Sequence, residues 1–314
     1  MTPEQLERYY ELQSFFTGDE SLTGPEMDLC RRILGAEWHS FHDKAATLSK
    51  YTLRNLPNVK IKALDNQING ALWMCLQAFG NIPTNDEDLK LRLKPLEQVP
   101  RRGGFLIDST GLGKTFTSLL FISFFITHCR NQMADHRPIV VVAPAGIVIE
   151  QWRTAIKDLF KDITLIVGYG DTPINAAQRK HWLSSQMMRK APHDLSAFPQ
   201  HLRYIFDKKD EKASRTVILT SYDTLAKRTL DQIAPEEEGD PVVWLSHWDD
   251  VFGMAFLDEG HRLRHPYTKV HQAVAQIRAR MNFIITGTPV QNNSLVSLAT
   301  LLSMVYSRVL TQPT

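Results

Sequence analysis

Cysteine is scarce: the chain holds only Cys30, Cys75 and Cys129, far apart and with no C-x-x-C pair. That excludes a disulfide framework and a thiolate zinc site, and reduced thiols in an intracellular protein are the simplest reading. A dominant charge is lacking too. Lys and Arg number 36 against 34 Asp and Glu, a net charge of +2, so any contact with an anionic partner must come from a local patch. The most apolar helical stretch, around 119–126, falls far short of the ~20 residues that cross a bilayer. Residues 1–16 are charged where a signal peptide has an apolar core, so no membrane segment is expected. The histidines form no H-E-x-x-H, which removes metalloprotease chemistry, and no internal repeat is visible.

What the chain has is a core and a set of motifs that follow apolar runs. Hydrophobic residues make up 43% of it, enough for one large or two small domains. The run Gly104-Phe105-Leu106-Ile107 breaks into Asp108-Ser109-Thr110-Gly111-Leu112-Gly113-Lys114-Thr115, after which 114–129 reads as an apolar helix. Strand, glycine loop and helix follow in the order a phosphate cradle needs. Gly111 and Gly113 admit backbone angles that a Cβ forbids, N–H groups converge on phosphate oxygens, and the helix points its positive end at the anion. Lys114 then reaches the β- and γ-phosphates and Thr115 holds magnesium. The strict pattern G-x-x-x-x-G-K-[ST] has glycine where this chain has Asp108, so the flanking strand and helix carry the assignment.

Met254-Ala255-Phe256-Leu257 ends in Asp258-Glu259-Gly260-His261. At a strand end, Asp258 suits magnesium and Glu259 suits orientation or deprotonation of a water. Alone, such a run is equally at home in a solvated loop, and a zinc site lacks further ligands at a sensible spacing. A third run, Asn282-Phe283-Ile284-Ile285, ends in Thr286-Gly287-Thr288-Pro289-Val290-Gln291-Asn292-Asn293. Apolar runs at 104–107, 139–142, 217–219, 254–257 and 282–285 alternate with helical stretches, which predicts an α/β fold with a parallel sheet covered on both faces. The motifs then gather at the carboxyl edge, where such sheets bind ligands. Residues 171–215 read as helical excursions, and 231–250, with Glu236-Glu237-Glu238-Gly239-Asp240, as an exposed loop.

The Gly-Leu-Gly-Lys-Thr loop, the D-E-x-H box and Thr-Gly-Thr-Pro with Gln-Asn-Asn together resemble the Swi/Snf-type chromatin-remodelling ATPases of helicase superfamily two. DEAD and DEAH RNA helicases, which carry Ser-Ala-Thr at the third motif, match less well. The stretch 64–73, containing Gln67, resembles the family's adenine-reading motif; 140–144 with Gln151-Trp152, and 217–222, resemble two motifs that in the family lie near nucleic acid. The resemblance covers roughly 60–310. It implies a RecA-like P-loop lobe at 61–314, its motor core about 101–310. Residues 1–60 read as a mainly helical, charged extension with a break at Gly24-Pro25 and a boundary near Pro57. Implied ligands are ATP and magnesium, with Gln67 at the base, residues 108–115 around the phosphates, and Thr115 and Asp258 on the metal. Lys114, Asp258 and Glu259 are the implied catalytic residues; His261, Thr286, Thr288 and Gln291 are implied to couple nucleotide state to DNA. Duplex DNA, nucleosomes and a nuclear location follow from the family alone.

The chain departs from the family pattern in three places. Asp108-Ser109-Thr110-Gly111 stands where the family has Asp-Glu-Met-Gly, and Gly260 where it has Ala, a change expected to loosen the acidic box. No second lobe follows before Thr314. Since that lobe supplies the transition-state arginines in the family, the chain alone is expected to bind ATP but hydrolyse it slowly or not at all. A nucleotide-gated binding module and a strand-separating helicase remain as alternatives. DNA contacts are expected from Arg262, Arg264, Lys269, Arg278 and Arg280, or from Lys227 and Arg228.

Overall fold

The computed structural model describes residues 53–79, 103–129, 135–171, 173, 175–233, 243–288 and 295–305. Eight strands occur among them: β1 (Gly103–Leu106), β2 (Ile139–Ala143), β3 (Thr164–Val167), β4 (Thr216–Ser221), β5 (Leu230–Ile233), β6 (Val243–Ser246), β7 (Met254–Asp258) and β8 (Met281–Ile285). Six form one parallel sheet in the order β1-β8-β7-β2-β4-β3, while β5 and β6 make a separate antiparallel pair. The helices are α1 (Asp65–Phe79), α2 (Lys114–Phe124), α3 (Ile147–Leu159), α4 (Ala176–Arg179), α5 (Ser185–Lys190), α6 (Tyr222–Thr229), α7 (Lys269–Ala275) and α8 (Leu295–Val305). A wider turn, Phe125–Cys129, continues α2.

The alternation of side chains along β2 divides the interior. Ile139, Val141 and Ala143 enter a core built with Leu72 of α1, Phe121 of α2 and Trp152 of α3. Val140 and Val142 enter another with Leu225 of α6, Ala273 of α7 and Leu301 of α8. Every residue of β2 is buried, as expected of an inner parallel strand covered on both faces. Residues 53–60 join the first core: Leu53 and Leu56 are buried in it, and Lys60 N donates to Leu159 O at 3.0 Å. Residues 231–250 differ from the expected exposed loop. Strands β5 and β6 flank the acidic run, which itself lies outside the described residues, and Gln276 bridges to the pair through Trp244 O (2.8 Å) and Ser246 N (2.7 Å).

Four charged side chains tie the loops that enter the sheet at its amino edge. Arg137, 7% exposed, donates to Asp135 at 3.0 Å and to Asp250 at 2.8 Å, and Arg280 donates to Asp135 at 2.7 Å. Burial pushes the Asp135 carboxyl up, but hydrogen bonds and charges from Arg137 and Arg280 outweigh it and hold the group below the usual carboxylate range. Removing Arg137 leaves Asp135 to Arg280 and the exposed Asp250 to water, so what is lost is the hydrogen bonds of the buried guanidinium. Arg137→Ala is expected to cost about 2 kcal/mol, read as a drop of roughly 4–8 °C in the melting midpoint. Because folding lowers the Asp135 pKa, its stabilisation is complete above the unfolded value and fades as pH falls through the folded one. The stability difference between the variant and the unaltered chain should therefore shrink in acid; a difference that grew there would contradict this account.

Candidate active site

The phosphate loop, 107–113, leaves the carboxyl end of β1 and turns into α2. Gly111 (φ 90°) and Gly113 (φ 80°) occupy the left-handed region, where a Cβ is strained. At Gly113 a Cβ would also stand 2.4 Å from Gln67 Nε2. Lys114, the first residue of α2, turns its ammonium back over the loop and donates to Asp108 O at 2.8 Å and Ser109 O at 3.1 Å. Burial raises the Asp108 carboxyl and the charge of Lys114 pulls it down, with burial dominant. Ser109, Thr110 and Gly111 face solvent, Leu112 is half-buried, and Thr115 lies half-buried in the first turn of α2. Helix α1 braces the loop. Asn66 Nδ2 donates to Leu112 O at 3.2 Å, and Gln67 Oε1 accepts from Leu64 N at 3.0 Å.

The acidic box follows β7 in the middle of the sheet. Asp258 is 6% exposed, with Oδ2 accepting from Trp152 Nε1 at 2.7 Å and Oδ1 from Glu259 N at 2.9 Å. Burial raises its pKa most; the Trp152 and Glu259 hydrogen bonds and Lys114 oppose the rise, and the charge of Glu259 adds to it. Glu259 has φ 49°, a backbone conformation rare outside glycine and concentrated at functional sites. His261 Nδ1 lies 3.2 Å from both Glu259 Oε2 and Thr286 Oγ1, so an Nδ1–H proton can serve either acceptor.

The third loop leaves β8, the strand between β1 and β7. Thr286 N donates to Leu106 O at 3.1 Å, and Thr288 N donates to Thr286 Oγ1 at 3.1 Å. A Cβ at Gly287 would lie 3.8 Å from Lys114 Nζ, so this loop leans on the phosphate loop. Two strand-end loops thus meet at one lysine, and the acidic box brings two carboxylates and a histidine to the same edge of the sheet, at the end of the strand next to β8. Gln291 lies outside the described residues. The charge, the glycine cradle and the adjoining carboxylates fit a nucleotide polyphosphate with a divalent cation, for which Thr115 and Asp258 are the available oxygen donors.

The model of the SNF2-related domain matches residues 58–314. This chain belongs to the SNF2-related family. It is 25% identical over 240 residues to the DNA repair protein RAD5 of Eremothecium gossypii, a match covering 71% of this chain and 20% of that protein. It is 25% identical over 193 residues to the CHD3-type chromatin-remodeling factor PICKLE of Arabidopsis thaliana, covering 60% of this chain and 12% of that one. With the Zorya protein ZorD of Escherichia coli the identity is 24% over 334 residues, covering 94% and 28%. Among solved structures, the SWI2/SNF2 ATPase core of Sulfolobus solfataricus in complex with dsDNA matches with 17% identity and a TM-score of 0.45, over 79% of this chain and 36% of that one. The chain spans less than a third of the length of each of these three relatives.

Several residues of this SNF2-related lobe do work that the sequence conceals. Trp152, in a motif expected near nucleic acid, is fully buried, and its indole N–H donates to Asp258 Oδ2. Tyr222 belongs to a motif expected near nucleic acid, but its ring is buried and its hydroxyl donates to Asp258 O at 2.7 Å. Arg278 and Arg280, expected as DNA contacts, precede β8 at the amino edge, where they pair with Asp249 and Asp135. Arg228 is half-buried and donates to Gly170 O at 3.0 Å. Arg262, Arg264 and Lys269 follow the acidic box, and Lys227 is exposed on α6.

Gly260 corrects an expectation. It is buried, and a Cβ there would stand 2.4 Å from Ile284 Cγ2, so the missing methyl leaves no slack: the branched side chain of β8 fills its place. Gly260→Ala is expected to destabilise by about 1–3 kcal/mol through overpacking. Ile284→Ala should relieve it, making the double variant more stable in urea melts than the sum of the single effects; strict additivity would show that the two do not interlock.

Proposed function

We propose that this chain is the ATP-binding lobe of a Swi/Snf-type DNA-dependent ATPase, one that couples ATP hydrolysis to movement along duplex DNA. What supports this most is the meeting of the β1 and β8 loops at Lys114, with Asp258 and Glu259 at the neighbouring strand end. Gln67, whose amide lies against Gly113, would read the base. Lys114 and the N–H groups of 108–115 would hold the phosphates. Thr115 and Asp258 would hold magnesium, which when bound neutralises phosphate charge. Glu259 then orients and deprotonates water, while His261, bridging Glu259 and Thr286, links the acidic box to the third loop. With Thr288 and Gln291, that link carries nucleotide state towards DNA.

Full turnover takes arginines from a second lobe, in cis or in trans. Such an arginine contributes on the order of 10³–10⁵ in rate in related chemistry. Duplex DNA is the proposed partner, and nucleosomes and a nuclear location follow the remodelling relatives. One of the chain's relatives comes from Escherichia coli, a cell without a nucleus. The test is magnesium-dependent ATP hydrolysis with and without duplex DNA, on the chain alone and with a second lobe added. Stimulation by DNA that grows when the lobe is added supports the reading. Turnover indifferent to both would contradict it.

A further inference from the structure

The near-neutral total hides an uneven distribution of charge. Residues 260–314 contain no Asp or Glu and carry Arg262, Arg264, Lys269, Arg278, Arg280 and Arg308. Arg278 and Arg280 are taken up by carboxylates at the amino edge. The loop after the acidic box is different. Arg262 and Lys269 are exposed, and neither forms an ion pair with a carboxylate among the described residues. Instead the Arg262 guanidinium lies 5.8 Å from the Tyr222 ring centre and the Lys269 ammonium 4.4 Å from that of Trp244. An aromatic face positions a cation without cancelling its charge.

Between these cations in the sequence lies Tyr267, 96% exposed. Its loop is pinned. Thr268 Oγ1 donates to His265 O at 3.0 Å and accepts from His271 N at 3.2 Å, Gln272 Nε2 donates to Pro266 O at 2.8 Å, and His271 Nδ1 lies 2.7 Å from Leu263 O. Pro266 fixes its own φ. The ring is therefore held in water by an ordered, acid-free, cationic segment.

We propose that residues 264–269 form a base-stacking platform, on which Tyr267 covers an unstacked nucleic-acid base while Arg262 and Lys269 face phosphates of the same strand. The proposal rests on the reading of the site as a DNA motor and extends it. A nucleic-acid strand supplies both negative charge and a flat apolar face; an acidic polypeptide supplies the charge alone. Inside a duplex both faces of a base are already covered, so the platform engages a fork, gap or frayed end and gives the chain a preference for such junctions.

The experiment measures binding of the 314-residue chain to a labelled forked duplex by fluorescence anisotropy, with relaxed closed-circular DNA as competitor. Tyr267→Ala is expected to weaken fork binding roughly 5- to 100-fold and leave competition by the circle unchanged. Tyr267→Phe should retain fork binding, since stacking needs the ring and not the hydroxyl. Arg262→Ala should weaken both DNAs and lower the slope of affinity against salt by about one. In Tyr267→Ala, an unchanged fork affinity or equal losses on both DNAs would overturn the platform, as would a Tyr267→Phe loss as large as that of Tyr267→Ala. A chain that binds both DNAs without preference overturns the platform and leaves the motor reading standing; one that binds neither overturns both.

Discussion

Replacing Lys114 with alanine should abolish measurable binding of magnesium ATP while leaving the fold intact. The ammonium sits at the centre of the phosphate loop, held by Asp108 O and Ser109 O, with the third loop against it. A phosphate there would exchange those two contacts with neutral carbonyls for hydrogen bonds in which donor and acceptor are both charged, which are stronger. Alanine removes that positive charge and every hydrogen bond it makes. Two contacts at about 1.5–3 kcal/mol each correspond to a loss of at least roughly 100-fold in affinity. The same charge pulls down the carboxyls of Asp108 and Asp258, so both should move further up without it. Direct titration of nucleotide, with a melting curve to show that the variant is folded, checks this. An affinity equal to that of the unaltered chain would remove the phosphate cradle from the account.

Glu259→Gln is the complementary case, with binding kept and turnover lost. The amide has the size of the carboxyl and leaves Glu259 N, the donor to Asp258, in place, so the metal-binding side of the box is undisturbed. What disappears is the ability to take a proton from water, an effect typically worth 10²–10⁴ in rate. The variant should bind nucleotide within a few-fold of the unaltered chain and lose about that factor of DNA-stimulated hydrolysis, measured with a second lobe present. Turnover that survived would assign proton removal to another group. A loss of binding as severe as that of Lys114→Ala would make Glu259 a ligand rather than a base.

The parts of this site that lie within one strand and its following loop were readable from the chain. The run at 104–107 announces β1 one residue out of register, and the glycines of the phosphate loop take the positive φ angles their position demands. Strand β3 went unread because it is four residues long and half-exposed at both ends, at an edge of the sheet, where its apolar signal is too brief to stand out from the neighbouring excursions. The pairing of β5 with β6 depends on Gln276, distant in sequence. Trp152 and Tyr222 were opaque for a similar reason. Their aromatic bodies belong to the core and only their polar tips reach Asp258, so burial and site geometry become separable only in three dimensions. Gly260 misled because a small residue suggests slack, whereas the space belongs to Ile284.

The most direct measurement is calorimetric titration of magnesium ATP into the unaltered chain beside Lys114→Ala. One saturable site in the first and none in the second is the predicted result. No binding to either, or equal binding to both, would contradict the claim that the loops of β1, β7 and β8 form a nucleotide site.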